Sequence, residues 1–433
     1  MFQHIILEYR RGLGSEMRGK RSRGQWSAAA RLMTLLFAGL AAVLPAAAAK
    51  RARTGRGVRT QTGLDVLEAQ KFAPLRGKHV GVITNHTGVD AQGRSVIELL
   101  AKAPGVRLVA IFSPEHGIAG RADAKIASTM DPARGLPVYS LYGETLRPTD
   151  EMLRGIDTLV FDIQDAGVRF YTYTTTMMYC MEEAARRGIA FYVLDRPNPL
   201  GGEVVEGPML DKDKLSFTGH FPLPVRYGLT IGELAQLFNA ENKIGCDLHV
   251  IAMRNWRRGA YYDQTGLRWI PPSPNLRTLK GAVLYPGLEI LQNANVSVGR
   301  GTEAPFEQFG APWMDGEKVA AELNAKRLAG VHFASAQFVP ASGLFMGQKC
   351  SGVAPRVTDR AAVRSVEMAI EIVTVLRRLY PREFAPARTV LLLGNEATVR
   401  MLERGAAPEE IVRNWAADLA VFESMRRKYF LYK

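Results

Sequence analysis

Four runs between residues 62 and 200 are apolar at nearly every position, and helical stretches separate them. They are "KHVGVITN" (Lys78–Asn85), "VRLVAIFS" (Val106–Ser113), "DTLVFDIQ" (Asp157–Gln164) and "IAFYVLD" (Ile189–Asp195). A strand without a polar face must be covered on both sides, and sheets covered on both sides are parallel ones flanked by helices. "SVIELLAKA" (Ser95–Ala103) is a short amphipathic helix, and "TTTMMYCMEEAARRG" (Thr174–Gly188) is a longer one with a glycine stop. The expected class is therefore α/β, with a Rossmann-like parallel-sheet domain over 62–204. The turn after the first run, "TNHTGVDAQGR" (Thr84–Arg94), has no GxGxxG, so a nicotinamide or flavin cofactor is not expected.

Residues 205–433 read as a second, smaller α+β domain. "TIGELAQLFNAEN" (Thr230–Asn242) opens with a capping box, Thr230 with Glu233. "DLHVIAM" (Asp247–Met253) is a strand, and helices are expected near 316–328, 360–379 and 408–429. Two long loops rich in Pro, Gly and aromatics lie between them, "RWIPPSPNL" (Arg268–Leu276) and "NVSVGRGTEAPFEQFGAPW" (Asn295–Trp313). Ordered loops of that length inside a domain usually carry function.

The net charge of +14 suggests nucleic acid until it is located along the chain. Residues 1–49 hold a net of +5 and residues 50–59 another +5, which leaves only +4 for everything after. A mildly basic folded part gives no electrostatic footprint for nucleic acid. The first 49 residues have the form of a signal peptide: a basic stretch, an apolar run from Leu32 to Leu44, then "PAAAAK". Cleavage is expected near Ala48 or Ala49, with Met1 or Met17 as the start, a linker over 50–61, and a periplasmic or secreted product free of the membrane. An uncleaved anchor is the alternative, although the run is short for a span. Cys180, Cys246 and Cys350 have no metal-ligand spacing; Cys180 falls in a buried helix, and pairing of Cys246 with Cys350 is left open.

Polar residues gather where the apolar runs end. The first run ends in Asn85 and His86, the second is followed by Glu115 and His116, the third by Asp162, Gln164 and Asp165, the fourth by Asp195, Arg196 and Asn198. In a parallel sheet these ends share the edge where ligands bind. Glu115 is the leading catalytic candidate, a carboxyl placed for proton transfer with His116 to orient it. The plain alternative is a loop acid that caps a turn. "FDIQDAGVRFYTYTTT" (Phe161–Thr176) adds Arg169, Tyr171 and Tyr173; its two aspartates suit a base, a metal or sugar hydroxyls, or else an Asp–Arg pair that only holds the loop. Arg300, between two glycines in "SVGRGT", suits an anionic ligand group or a structural ion pair. Trp269 and Asn275 of the Pro-rich loop suit a glycan cleft.

Together the segments resemble a known family. "SPEHGIAG" (Ser113–Gly120), "GLPVYSLYG" (Gly135–Gly143), "FDIQDAGVRFYTY" (Phe161–Tyr173), "VLDRPNPLGG" (Val193–Gly202), "VEGPML" (Val205–Leu210), "YGLTIGELA" (Tyr227–Ala235), "WIPPSPNL" (Trp269–Leu276) and "NVSVGRGTEAPFE" (Asn295–Glu307) are similar, in order, to the exo-β-N-acetylmuramidases of glycoside hydrolase family 171, formerly domain of unknown function 1343. The resemblance implies a Rossmann-like N-terminal domain, a smaller C-terminal domain, and removal of N-acetylmuramic acid from the non-reducing end of peptidoglycan glycans. It places the family's proposed catalytic acid on Glu115. Gln292 and Val298 depart from glutamates that many members carry, and Ala119 from an arginine.

The expected reaction is glycoside hydrolysis with no metal or organic cofactor. Glu115 protonates the leaving oxygen, and Asp162, Asp165, Tyr171 or the substrate's own acetamido group supplies the second function. Arg169, Arg196 and Arg300 are the candidates for the lactyl carboxylate. Two other readings stand beside it: a glycan-binding protein without turnover, and a metal-dependent cell-wall ester or amide hydrolase built on Asp162, Asp165 and His116.

Overall fold

The computed structural model describes residues 58–433 apart from Asp123. The expected signal peptide and most of the expected linker lie outside the described residues. Along the chain come β1 (His79–Thr84), β2 (Arg107–Ser113), β3 (Thr129–Asp131), β4 (Leu136–Ser140), β5 (Thr158–Asp162) and β6 (Ala190–Leu194). A short hairpin follows, β7 (Glu206–Met209) with β8 (Pro224–Arg226), and then β9 (Leu248–Ile251). Seven of these form one sheet in the order β3-β4-β2-β1-β5-β6-β9. Every pairing in it is parallel except that of β3 with β4 at one edge.

The helices that cover this sheet are α1 (Gly63–Ala69), α2 (Val96–Lys102), α3 (Tyr173–Arg187) and α4 (Ile231–Glu241). Their starts follow from local chemistry. Ser95 accepts from the Glu98 N–H at the start of α2, and Thr230 with Glu233 forms the capping box of α4. Gly188 ends α3 at φ 64°. Side chains alternate between the two faces of the sheet. Val80 and Val82 pack with Leu64, Leu67 and Leu100 of α1 and α2, whereas Ile83, Phe161 and Phe191 pack against α3 and α4. The buried stripe Met177, Cys180, Met181 and Ala184 lies at helical spacing on α3. Each of its methionines stabilises the fold by about 1.5–3 kcal/mol through apolar burial.

The second face runs without a break into the rest of the chain. There α5 (Leu279–Leu288), α6 (Gly316–Ala325), α7 (Ser365–Leu379), α8 (Val390–Leu393), α9 (Glu396–Arg404) and α10 (Pro408–Arg426) pack with a smaller antiparallel sheet. That sheet has the order β10 (Phe309–Ala311), β12 (Cys350–Val357), β11 (Val331–Phe338). The two sheets part later in the chain than the expected boundary at 204/205, because β9 pairs with β6 in the large sheet. Cys180, Cys246 and Cys350 are all buried free thiols, so the pairing left open between the last two is not formed.

Glu206 shows how the hairpin is fastened. Its Oε1 accepts the backbone N–H of Val366 at 2.5 Å and of Glu367 at 3.1 Å, capping α7 from another element. Burial pushes its carboxyl up to about 7, above the roughly 4.3 of an unfolded glutamate. The folded state thus holds the proton more tightly than the unfolded one. The stability this contributes is complete below about pH 4 and is lost as pH rises through the folded value. Glu206→Gln is expected to flatten the fall in melting temperature between pH 4.5 and 7.5. A melting series with the same slope as the parent across that window would refute the assignment.

Candidate active site

The chain leaves β2 through Pro114 into a tight turn, in which the Gly117 N–H returns to the Pro114 carbonyl at 3.0 Å. Glu115 and His116 are the central residues of that turn, and His116 takes φ 67°, a region where non-glycine residues are uncommon. The His116 ring bonds the Ala122 carbonyl through Nδ1 at 2.6 Å, which fastens the following loop. The turn leaves Glu115 half-buried at the carboxyl edge of the sheet. Thr172, at the start of α3, donates its hydroxyl to Glu115 Oε2 at 2.5 Å. His116 therefore shapes the backbone, while a threonine not singled out by sequence holds the carboxyl.

Gly120 serves the same corner. A side chain there would lie 2.0 Å from the His86 ring, at a backbone φ of 64°. His86 packs into the space and bonds the Pro271 carbonyl through Nε2 at 2.7 Å, so its Nδ1 carries the lone pair, and that atom is buried without a partner. Burial lowers the pKa of this imidazole and keeps it neutral. Beside it Asn85 donates to the Tyr173 hydroxyl at 3.1 Å, and that hydroxyl donates to the Pro272 carbonyl at 2.8 Å. The Pro-rich loop is thereby tied over the ends of β1 and β2.

An aromatic floor joins these residues to the second region. Tyr171 meets Tyr173 edge-on at 4.8 Å and Tyr285 of α5 at 6.1 Å, and Tyr285 meets Phe306 at 4.7 Å. Such pairs contribute about 0.5–1.5 kcal/mol each beyond their burial. The Tyr171 hydroxyl is buried, with Ser273 and Tyr173 as its polar neighbours. Burial raises both tyrosines, with the charge of Glu115 adding to the effect at Tyr173. At the far side Glu289 is buried, and its Oε1 accepts from Arg300 Nη2 at 2.6 Å. The guanidinium lies 5.0 Å from the Phe306 ring centre. Burial pushes Glu289 up, opposed by Arg300 and reinforced by Glu115, so the two glutamates lie within reach of each other's field.

Asp165 is at the edge of this group. Its Oδ2 accepts the Gly167 N–H at 2.6 Å and the Tyr227 hydroxyl, its Oδ1 is buried without a partner, and burial pushes the carboxyl up to about 6. The other polar residues at the strand ends are committed to the fold. Asp162 and Arg196 form a two-pronged buried ion pair at 2.6 and 2.9 Å, with no face left for a substrate. Arg169 is 1% exposed and gives its donors to the carbonyls of Pro208, Leu223, Leu392 and Leu393. Asp195 accepts from the N–H groups of Arg196 and Gly232 and from the hydroxyls of Thr230 and Tyr432, which fills its acceptor sites. Asn198 bridges the Leu200 N–H and the Leu229 carbonyl. Gln164 donates to the carbonyls of Asp165 and Pro197, although its Oε1 is buried unpaired. Trp269 bonds the Arg277 carbonyl and packs edge-on against Tyr262, and Asn275 is half-buried in the same loop.

The structure thus brings together Asn85, His86, Glu115, Asp165, Tyr171, Tyr173 and Arg300 from the sequence expectation, and adds Thr172, Tyr285 and Glu289. Tyr285 and Glu289 sit in an apolar stretch that carries no local motif, and Thr172 lies inside the FDIQDAGVRFYTY segment without a polar neighbour that singles it out; only proximity to Glu115 marks them. Buried polar atoms without a partner lie here on His86, Asp165 and Glu289, and such atoms call for a ligand or water. Among the described residues no group of three His, Cys, Asp or Glu is arranged to hold a metal. A surface depression of about 720 Å³ lies between α9 and α10 and contains none of these groups.

Two sequence profiles match the chain in succession. The first, described as the N-terminal part of exo-β-N-acetylmuramidase NamZ, covers residues 80–280, and the second, its C-terminal part, covers 283–432. A protein of Bacillus subtilis (strain 168) named peptidoglycan β-N-acetylmuramidase NamZ is 40% identical over 406 residues, 93% of this chain and 98% of that relative. Two solved structures of DUF1343 family proteins from Bacteroides fragilis NCTC 9343 share the fold. One has a TM-score of 0.82 at 40% identity and covers 87% of this chain and all of that one. The other has a TM-score of 0.72 at 31% identity and covers 86% and 99%.

Proposed function

The chain belongs to the exo-β-N-acetylmuramidase NamZ family, and we infer that the group of residues around Glu115 performs the hydrolysis. The enzyme is an exo-acting glycoside hydrolase that releases N-acetylmuramic acid from the non-reducing end of peptidoglycan-derived glycans. The observation that carries the assignment to this site is the half-buried Glu115 carboxyl, gripped at one oxygen by Thr172 beside buried polar atoms that have no partner. Glu115 gives its proton to the glycosidic oxygen as the bond from that oxygen to C1 breaks. Thr172 fixes Oε2 and so aims Oε1 at the leaving group. The buried rings of Tyr171, Tyr173 and Tyr285 pack together next to Glu115 and brace the segment that carries Thr172.

Of the three arginines weighed for the lactyl carboxylate, Arg169 and Arg196 are buried, whereas the Arg300 side chain is 32% exposed. It is the cation we assign to that group. The metal-dependent reading loses its ligand Asp162 to Arg196. Export is part of the proposal, because peptidoglycan lies outside the membrane and the leader-like residues 1–49 precede the catalytic region.

The test is release of N-acetylmuramic acid from MurNAc-β-1,4-GlcNAc in the presence of a chelator. Steady turnover that the chelator does not slow is the expected result. Binding of the disaccharide by the intact protein without turnover would instead support a glycan-binding role.

A further inference from the structure

A glycoside hydrolase needs a second group besides the acid, and the strand ends do not supply a free one. Asp162 is locked to Arg196. Asp165 is fastened at Oδ2 by Gly167 and Tyr227, and the charge of Glu115 is not among the main influences on it. Glu289 differs on both counts. It opens a 3₁₀ turn, Glu289–Asn293, that continues directly from α5. Four residues earlier, Tyr285 presents its ring to Tyr171, so Glu289 stands one turn above the aromatic floor. One of its oxygens is held by Arg300, and the other, Oε2, is buried without a partner.

The same turn supplies a second unpaired oxygen. Side chains three apart in a 3₁₀ helix share one face, which puts Gln292 on the face of Glu289, and Gln292 Oε1 is also buried without a partner. Two adjacent acceptors suit a water molecule, which can donate to both.

We propose that Glu289 is the general base of the reaction, taking a proton from a water positioned between it and Gln292, opposite Glu115. This rests on the hydrolytic reading above and deepens it. Water oxygen forms the new bond to C1, and its proton passes to Glu289. The bond from C1 to the leaving oxygen breaks, its electron pair stays on that oxygen, and Glu115 protonates it. Both carboxyl groups return to their starting states by exchange with solvent. The burial and neighbouring charge that raise Glu289 make it a better proton acceptor than an ordinary carboxylate and a poorer leaving group, which favours a base over a nucleophile. Direct attack by water gives inversion, so the first product is the α-anomer of N-acetylmuramic acid.

The experiment uses the whole chain with MurNAc-β-1,4-GlcNAc, and with an aryl β-muramide whose leaving group needs no protonation. Glu289→Gln is expected to lose roughly 10²–10⁴-fold in kcat on both substrates. Glu115→Gln is expected to lose it only on the disaccharide. Glu289→Ala with added azide is expected to regain turnover and yield the α-glycosyl azide, a result that requires a folded site. Proton NMR on the parent enzyme reads the first anomer. A β-anomer, a Glu289→Gln variant within threefold of the parent, or no azide rescue would each overturn the proposal while leaving the hydrolase reading intact. Absence of turnover by the parent enzyme would overturn both.

Discussion

Glu115→Gln is expected to leave a folded protein that releases N-acetylmuramic acid from the disaccharide roughly 10²–10⁴-fold more slowly than the parent. Glutamine keeps the shape and one acceptor oxygen, so the bond from Thr172 can survive. What it removes is the proton for a leaving group that is a poor one unless protonated. Binding is therefore expected to change little, with the loss in kcat rather than KM. The measurement is a steady-state series with the disaccharide, alongside a thermal melt to confirm folding. Retention of more than a tenth of the parent kcat by a folded variant would place the acid elsewhere.

Arg169→Met is the prediction with the largest effect on stability, and it separates architecture from chemistry. Arg169 looks like a substrate cation in the sequence, yet its guanidinium lies among backbone carbonyls from three separate segments. Burial pushes it down to about 9, still charged at neutral pH. Methionine fills part of the volume and satisfies none of the four carbonyls. Each buried acceptor left unpaired costs about 1–3 kcal/mol, so the loss is expected to be on the order of 4 kcal/mol or more. Denaturant unfolding checks it through a shifted midpoint at constant slope. A variant as stable as the parent but inactive would restore Arg169 to the site and remove it from the scaffold.

Four strands of the large sheet, β1, β2, β5 and β6, were legible because they are apolar at nearly every position, and α2, α3 and α4 because Ser95, Gly188, Thr230 and Glu233 mark their ends, whereas β4, with its mixed burial, and the short α1 were not. The antiparallel edge strand β3 was not, since its three residues are mostly exposed and carry no pattern. Nor was the pairing of β9 with β6, which joins segments that the alternation of elements had assigned to different domains. Within the site, Glu115 was visible as an acid after a strand. Arg196 and Arg169 were misleading for a physical reason: a guanidinium has the same sequence signature whether it faces a ligand, a carboxylate such as Asp162, or a set of backbone carbonyls. Glu289 left no signal at all. Its neighbours in sequence are apolar, and its relation to Glu115 exists only after the second region folds against the first.

The bond from Tyr432 to Asp195 has a consequence in time. Those two residues are 237 positions apart, and at 5–20 residues per second a ribosome takes roughly 10–50 s to cover that distance. Until then the carboxylate at the end of β6 lacks one of its donors, and Glu233 lacks the Leu431 N–H that it also accepts. That end of β6 therefore gains its last donors only once the segment around residue 431 has been made.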